Sequence, residues 1–196
     1  GAAFVDCMFV NCSFLGARLP NTRFERSMVV ECDLSRSDWS GAVFDRQLMT
    51  KVSAQMSRWS NAEFSKSTFV GNSDLKGSFF DGMKGHHTSF HEAVLDESCF
   101  VRADIGECLF LGCAMSSVDF RAAWARKAIF NESVLVQTDF FASDLMEAHL
   151  NLCDTRYASF RGTNLYAANL MNARLQCADF SQANLGHTIL ELPTAH

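Results

Sequence analysis

The sequence predicts an all-β chain wound into a stack of four-sided coils, about nine to ten of them. Three observations predict it. A large apolar residue returns every fifth position, from Phe4, Phe9, Phe14 and Leu19 onward to Leu190. The residue two places before it is small in nearly every unit, with Gln47 and Met83 the clear misfits. Every fourth of the large positions gives one bulky column: Leu19, Trp39, Trp59, Phe80, Phe100, Phe120, Phe140, Phe160 and Phe180.

The five-residue beat excludes ordinary elements. Five residues advance a helix by about 140°, which would scatter the apolar positions over every face. A simple strand alternates with period two. A chain that turns a corner every five residues instead sends each central side chain inward. The small residue two before it fills a second, tighter inward slot. Four such pentads make one coil, and the bulky column then stacks ring upon ring. At the spacing of paired strands, about 4.8 Å, the stack is a rod of about 45 Å.

The beat runs as one array over residues 1–196. Central positions that are not large and apolar are Ala54, Gly85, Ala125 and Thr155. One extra residue enters within Val70-Gly71-Asn72-Ser73-Asp74, after which the series resumes at Leu75. A one-residue bulge suits Gly and Asn, which tolerate positive φ. Residues 45–58 and 81–87 depart most from the pattern. Trp39, Trp59 and Phe80 keep the column in step across the first of these, so a regular coil is expected there. Gly16, Gly41, Gly71, Gly77, Gly82, Gly112 and Gly162 each fall two after a central residue, where a tight corner requires positive φ. The sequence opens inside the repeat at Gly1-Ala2-Ala3-Phe4, without an initiator Met or an N-terminal cap. It reads as a piece of a longer protein.

The 196 residues carry 17 basic and 22 acidic groups, a formal charge of −5. Residues 1–90 hold ten basic and nine acidic groups and residues 91–196 seven and thirteen, so the second part carries the whole excess. That argues against direct binding of a nucleic-acid backbone. Apolar runs fall short of the ~18 residues of a membrane span, and no secretory signal is visible.

Ala168-Asn169-Leu170, Ala183-Asn184-Leu185, Ala178-Asp179-Phe180, Ser143-Asp144-Leu145 and Ala103-Asp104-Ile105 share one pattern, and Cys32-Asp33-Leu34 and Ser73-Asp74-Leu75 follow it. The chain resembles, over essentially its whole length, the pentapeptide-repeat family with its A-(D/N)-L-x-x motif. The resemblance implies a right-handed quadrilateral β-helix and a non-enzymatic role. Some members of the family mimic DNA and bind type II topoisomerases, giving quinolone resistance. Others are modules of bacterial secretion systems or effectors. The topoisomerase binders often add a dimerising C-terminal segment and projecting loops, which Leu192-Pro193-Thr194-Ala195-His196 does not supply.

Candidate chemistry is sparse. Of the eight cysteines, Cys7, Cys12, Cys32, Cys108, Cys113 and Cys153 occupy the small inward slot, where they read as buried apolar fillers. No C-x-x-C occurs, and so many free thiols suggest a reducing, cytoplasmic compartment. His86, His87 and His91 cluster in sequence but are expected on adjoining outer sides, without the convergence a metal needs. No nucleophile loop, phosphate cradle or carboxylate pair stands out. Catalytic residues, metal ligands and cofactors are therefore expected to be none. Asp33, Asp38, Asp74, Asp104, Asp119, Asp139, Asp144, Asp154 and Asp179 occupy the motif's second position, where they are expected to bond nearby backbone at a corner. Much of the acidity thus belongs to the fold.

One outer side differs from the rest. Around its central residues Phe9, Val29, Met49, Phe69, Phe90, Phe110 and Phe130, the flanking positions include Met8, Val10, Met28, Val30, Leu48, Val70, Leu109, Leu111 and Ile129. Both flanks should point outward, so these nine residues should form an exposed apolar stripe. Such a patch marks an interface for a protein partner or for the chain's own copy. The expected function is a rigid protein-interaction or scaffold module, the alternative a DNA-mimicking modulator of type II topoisomerase.

Overall fold

A computed structural model of the chain describes residues 2–190. Residues 192–196, which bear on the question of a C-terminal segment, lie outside the described residues. The molecule is all-β and entirely parallel. Its strands are three residues long: β1 (Ala3–Val5), β2 (Met8–Val10), β3 (Arg23–Glu25), β4 (Met28–Val30), β5 (Val43–Asp45), β6 (Leu48–Thr50), β7 (Glu63–Ser65), β8 (Thr68–Val70), β9 (Lys84–His86), β10 (Ser89–His91) and β11 (Leu109–Leu111). One sheet has the order β1-β3-β5-β7-β9 and the other β11-β10-β8-β6-β4-β2. Each strand therefore pairs with the strand one coil away, as Phe4 with Phe24 and Phe9 with Val29.

Extended strands define a solenoid of about five turns, fewer than the nine to ten coils expected. The difference lies in how the pairing is made, because isolated bridges carry the same ladder on to Asn169↔Ile189. The four sides of the coil are centred on Phe4, Phe9, Phe14 and Leu19, and are called here the first to the fourth. Each of the nine motif aspartates accepts a hydrogen bond from the backbone N–H two residues on, as Asp33 Oδ1 does from Ser35 at 2.9 Å and Asp139 Oδ1 from Phe141 at 2.9 Å. That bond closes the pentad into a turn. The second side holds none of these aspartates and keeps its strands longest.

Corners rest on a residue with positive φ. All seven glycines expected there have φ between 62° and 69°. Most corners nevertheless carry ordinary residues, from Asp6 at φ 52° to His187 at φ 58°. Left-handed backbone costs a non-glycine residue about 1–2 kcal/mol. The next coil offsets it, since the corner N–H finds a carbonyl there, as Asp6 does with Glu25 at 3.0 Å. Glycine is required at few corners. At Gly82 a β-carbon would lie 2.7 Å from Asn61 Oδ1.

Inside, the central side chains and the small slots are buried through the interior coils. The predicted column stacks throughout: Trp39 on Trp59 at 5.6 Å, Phe80 on Phe100 at 4.6 Å, Phe160 on Phe180 at 4.9 Å. Two further columns accompany it. Phe4, Phe24, Phe44 and Phe64 stack on the first side, and Phe69, Phe90, Phe110 and Phe130 on the second. Columns meet edge to face, as Phe100 and Phe110 do at 6.0 Å and 87°. Such geometry adds about 0.5–1.5 kcal/mol per pair beyond burial.

The small slot is more than a space. Ser133 Oγ donates to Phe110 O at 2.8 Å and Thr163 Oγ1 to Phe140 O at 2.6 Å, each reaching the central carbonyl one coil back. Cys113 and Cys153 make the same bond to Phe90 O at 2.8 Å and Phe130 O at 2.9 Å. Cys32, Cys108, Cys113 and Cys153 are buried as expected and their thiols join the ladder of side-chain bonds, whereas Cys7 and Cys12, in the first coil, are half-buried.

Coils are 20 residues except once. Ser53 bridges Asp74 and Arg58 bridges Phe79, an offset of 21, because Gly71 and Asn72 both take positive φ at one corner. Residues 45–58 form an ordinary coil, with Ser53 bridging Asp33 on one side and Asp74 on the other.

Candidate interaction surface

The second side is the candidate surface. Its two outward columns run as ladders: Met8↔Met28↔Leu48↔Thr68↔Ser89↔Leu109↔Ile129, and Val10↔Val30↔Thr50 with Val70 next and His91↔Leu111 beyond. All nine sequence-predicted residues lie here and point away from the core. Their exposure differs. Met8 is 65% and Val10 46% exposed. Met28, Val30, Leu48, Val70, Leu109, Leu111 and Ile129 are half-buried, because the same columns in the coils above and below cover their flanks. Thr50, Thr68, Ser89 and His91 divide the stripe into an upper and a lower part.

The decisive feature is charge. Among the described residues, from Met8 to Ile189, neither outward column of this side contains Asp, Glu, Lys or Arg. Each of the other three sides does. The motif aspartates divide between them, with Asp104 and Asp144 on the first side, Asp33, Asp74 and Asp154 on the third, and Asp38, Asp119, Asp139 and Asp179 on the fourth. Arginines partner several: Arg121 Nη2 lies 2.7 Å from Asp119, Arg126 Nε 2.7 Å from Asp144 and Arg156 Nη2 2.7 Å from Asp154. The Arg156 guanidinium holds the Asp154 carboxyl below the ordinary carboxylate range, and the Ser40 hydroxyl does the same for Asp38.

Charges frame the apolar side at its corners. Between the first and second sides run Asp6, Arg26, Arg46, Lys66, His87, Glu107, Lys127 and Glu147, one per coil. Arg26 Nε contacts Asp6 at 2.8 Å and Lys127 Nζ contacts Glu147 at 3.7 Å. Between the second and third sides lie Glu31, Lys51, Glu92 and Glu132, with Lys51 Nζ 3.1 Å from Glu31.

The histidines separate as expected. His86 faces outward from the first side, His91 from the second, and His87 takes the corner with Nδ1 3.7 Å from Glu107. Among the described residues no three His, Cys, Asp or Glu converge for a metal ion. Buried Cys108, Cys113 and Cys153 have thiols that burial pushes up to about 12.

Sequence reading missed several exposed apolar groups. Trp124 on the first side is 55% exposed, Tyr157 at a corner 60%, and Leu152, on the corner bordering the second side, 57%. Phe141 lies on the fourth side with the Arg161 guanidinium 5.9 Å from its ring centre. All occupy outward or corner positions of the five-residue beat, so the signal was present. Only Leu152 borders the uncharged side.

Residues 153–191 match the family model for pentapeptide repeats, in eight copies. The same beat and the same coil-to-coil pairing extend from there back to the first coil. Residues 153–191 are pentapeptide repeats. No curated protein matches it. Among solved structures, the chain is similar to a trypsin-treated variant of QnrB1, a plasmid-mediated fluoroquinolone resistance protein. The identity is 18% and the TM-score 0.58, covering 97% of this chain and 92% of that one. It is also similar to HetL, a pentapeptide repeat protein involved in heterocyst differentiation regulation from the cyanobacterium Nostoc sp. Strain PCC 7120. There the identity is 15% and the TM-score 0.37, over 100% and 91% of the two chains. The likeness to QnrB1 is one of fold.

Proposed function

We propose that this protein is a non-enzymatic interaction or scaffold module that binds a protein through its second side. One observation carries the reading: among the described residues that side alone presents two parallel columns free of charged side chains, on the sheet with the most strands. Desolvating it costs little, while every other side would have to strip or re-pair carboxylates and guanidinium groups. The family resemblance adds a bacterial secretion apparatus or effector as the setting, and the free thiols a cytoplasmic one. No helix among the described residues is long and apolar enough to cross a membrane.

The alternative, DNA mimicry toward a type II topoisomerase, shares the QnrB1-like fold. It needs a continuous acidic side, whereas the motif aspartates spread over three sides and several pair with arginine. Affinity capture tests the reading, comparing wild type, Leu109→Asp/Leu111→Asp and, as a control on the fourth side, Arg161→Glu. The expected result is a defined partner held by wild type and control and lost by the double variant. Equal capture by all three overturns the assignment of the second side. Protection of DNA gyrase from a quinolone, unchanged by the double variant, would establish the alternative.

A further inference from the structure

We propose that the fourth side, in its first coils, holds a binding site for a phosphate monoester group, formed by Arg18, Arg36 and Arg58. The site is separate from the apolar second side and does not depend on the reading of that side.

The repeat brings the three arginines together. Arg18, Asp38 and Arg58 occupy one outward ladder of the fourth side, paired as Arg18↔Asp38 and Asp38↔Arg58. At the spacing of paired strands the two arginines stand about 10 Å apart along the rod, one coil on either side of Asp38. Arg36 flanks Asp38 from the neighbouring corner, where its φ is 57°. Gly16 holds the same corner one coil earlier, and nothing lies within 4 Å of the point its β-carbon would take. Gly16, Ala17 and Pro20 bring no charge, and with Asp38 and the three arginines they line an open cleft of about 530 Å³. All three arginines are exposed.

Other arginines beside a motif aspartate are already engaged. Asp119 pairs with Arg121 at 2.7 Å, and Asp154 with Arg156 at 2.7 Å and Arg174 at 3.7 Å. In both cases an arginine stands two residues after the aspartate. After Asp38 that place belongs to Ser40, whose backbone N–H and hydroxyl donate to Asp38 Oδ1 at 3.0 and 2.6 Å. The Ser40 hydroxyl is the main cause that lowers the Asp38 carboxyl, and the charges of Arg58 and Arg18 act on it more weakly. Among the described residues, Arg18, Arg36 and Arg58 form no ion pair and donate no side-chain hydrogen bond. Asp81, the next carboxylate along this side, accepts instead from the Cys99 thiol at 2.9 Å.

Three guanidinium groups against one carboxylate leave an excess of two positive charges facing the cleft. A phosphate monoester matches it, with a charge of about −1.5 to −2 at neutral pH and three acceptor oxygens, one for each arginine. The planar fork of arginine suits such oxygens and binds them through charge-assisted pairs.

Heteronuclear NMR of the arginine Nε–H groups, as the chain is titrated with inorganic phosphate at neutral pH and constant ionic strength, tests the proposal. Far-ultraviolet circular dichroism checks folding. The expected result is saturable binding of one phosphate, with the largest shifts at Arg18, Arg36 and Arg58. Arg18→Gln, Arg36→Gln and Arg58→Gln are each expected to weaken binding by about fivefold or more. Asp38→Asn keeps an acceptor for Ser40, removes the one negative charge, and is expected to tighten binding about threefold. Arg102→Gln, at a distant corner, is expected to change nothing. A phosphoserine peptide that binds more tightly than inorganic phosphate makes a phosphorylated protein segment the source; equal affinity makes it a small phosphate, and either sustains the site. Absence of saturation overturns the proposal, and so do shifts spread equally to Arg102 and Arg161, which would mean charge screening only. Weaker binding by Asp38→Asn also overturns it, since the carboxylate would then belong to the site. A single-stranded oligonucleotide without a terminal phosphate that binds through the same arginines more tightly than both probes overturns the monoester assignment.

Discussion

The methyl carbon of Met83 lies 3.2 Å from the point where a β-carbon on Gly85 would sit. The two residues exchange roles within one pentad. Gly85 leaves the central position without a side chain, and Met83, in the small slot, is long and flexible enough to fill the space. Cys108 Sγ, 2.7 Å from the same point, closes it from the next coil. Two departures from the repeat are therefore one compensated substitution.

That compensation predicts coupling. Met83→Ala should destabilise by about 2–5 kcal/mol, as other large-to-small core changes do. Gly85→Ala should cost about 1–3 kcal/mol through overpacking. Together they should cost less than the sum by more than about 0.5 kcal/mol. Urea denaturation of the four proteins in the cycle measures this, and additivity would contradict it.

Gln47 is the opposite case, a misfit with no compensation. It is buried, and its Oε1 has no hydrogen-bond partner. Its Nε2 donates to Leu48 O at 3.3 Å. Gln47→Met keeps the length and removes the orphaned acceptor, and is expected to raise stability by about 1 kcal/mol. A lower denaturation midpoint would show that the amide is worth more than its unmet bond costs.

The motif carboxylates act through one oxygen and the backbone. Asp33→Asn keeps an acceptor for the Ser35 N–H and is expected to be nearly neutral. Asp33→Ala is expected to lose about 0.5–1.5 kcal/mol. Equal losses in thermal melting would place the effect in charge rather than in the turn.

Stability should fall in acid. Asp38 and Asp154 sit below their ordinary value of 3.8 in the folded chain. The unfolded chain therefore binds protons first as pH drops. Their contribution is present above 3.8 and is lost as pH falls from there through the lower folded values. Asp38→Asn should flatten that part of the melting-temperature profile, and an unchanged slope would exclude Asp38 as a contributor.

Thiol chemistry separates by depth. Cys177 is exposed, whereas Cys108, Cys113 and Cys153 are buried with pKa values pushed up to about 12. Iodoacetamide at mildly alkaline pH is expected to modify Cys177 rapidly and those three only after denaturant is added, read by peptide mass spectrometry. Modification of Cys113 in the native state would mean that its coil opens.

Much of this was legible because the fold is a beat. Phe100 and Phe120 stack where the count of twenty places them, and the seven corner glycines take positive φ because nothing else about their sequence position varies. Extended strands were not legible in the same way. Their loss after β11 is not marked by the outward residues, since Ile129 and His149 follow on the second side without Asp or Asn and yet make only single bridges. The swap of Met83 and Gly85 read as irregularity, since a sequence shows that two positions deviate and not that one fills the other. The apolar columns of the second side could be placed from spacing, but their half-burial could not, because it comes from the coils above and below. Trp124 and Tyr157 lay in the same pattern, on a side and a corner that carry charges as well.

The extra residue at Gly71 and Asn72 has a consequence for how the chain can be compared with its own kind. Before it, positions that touch differ by twenty; across it they differ by twenty-one; after it they differ by twenty again. Because the additional residue is absorbed where the backbone already bends, Met28 and Leu109 still belong to one continuous plane. Placed in the middle of a side, the same insertion would have exchanged inward and outward residues in every later coil. Gain of a single residue is therefore accommodated at a bend, and alignments of such chains should allow gaps there.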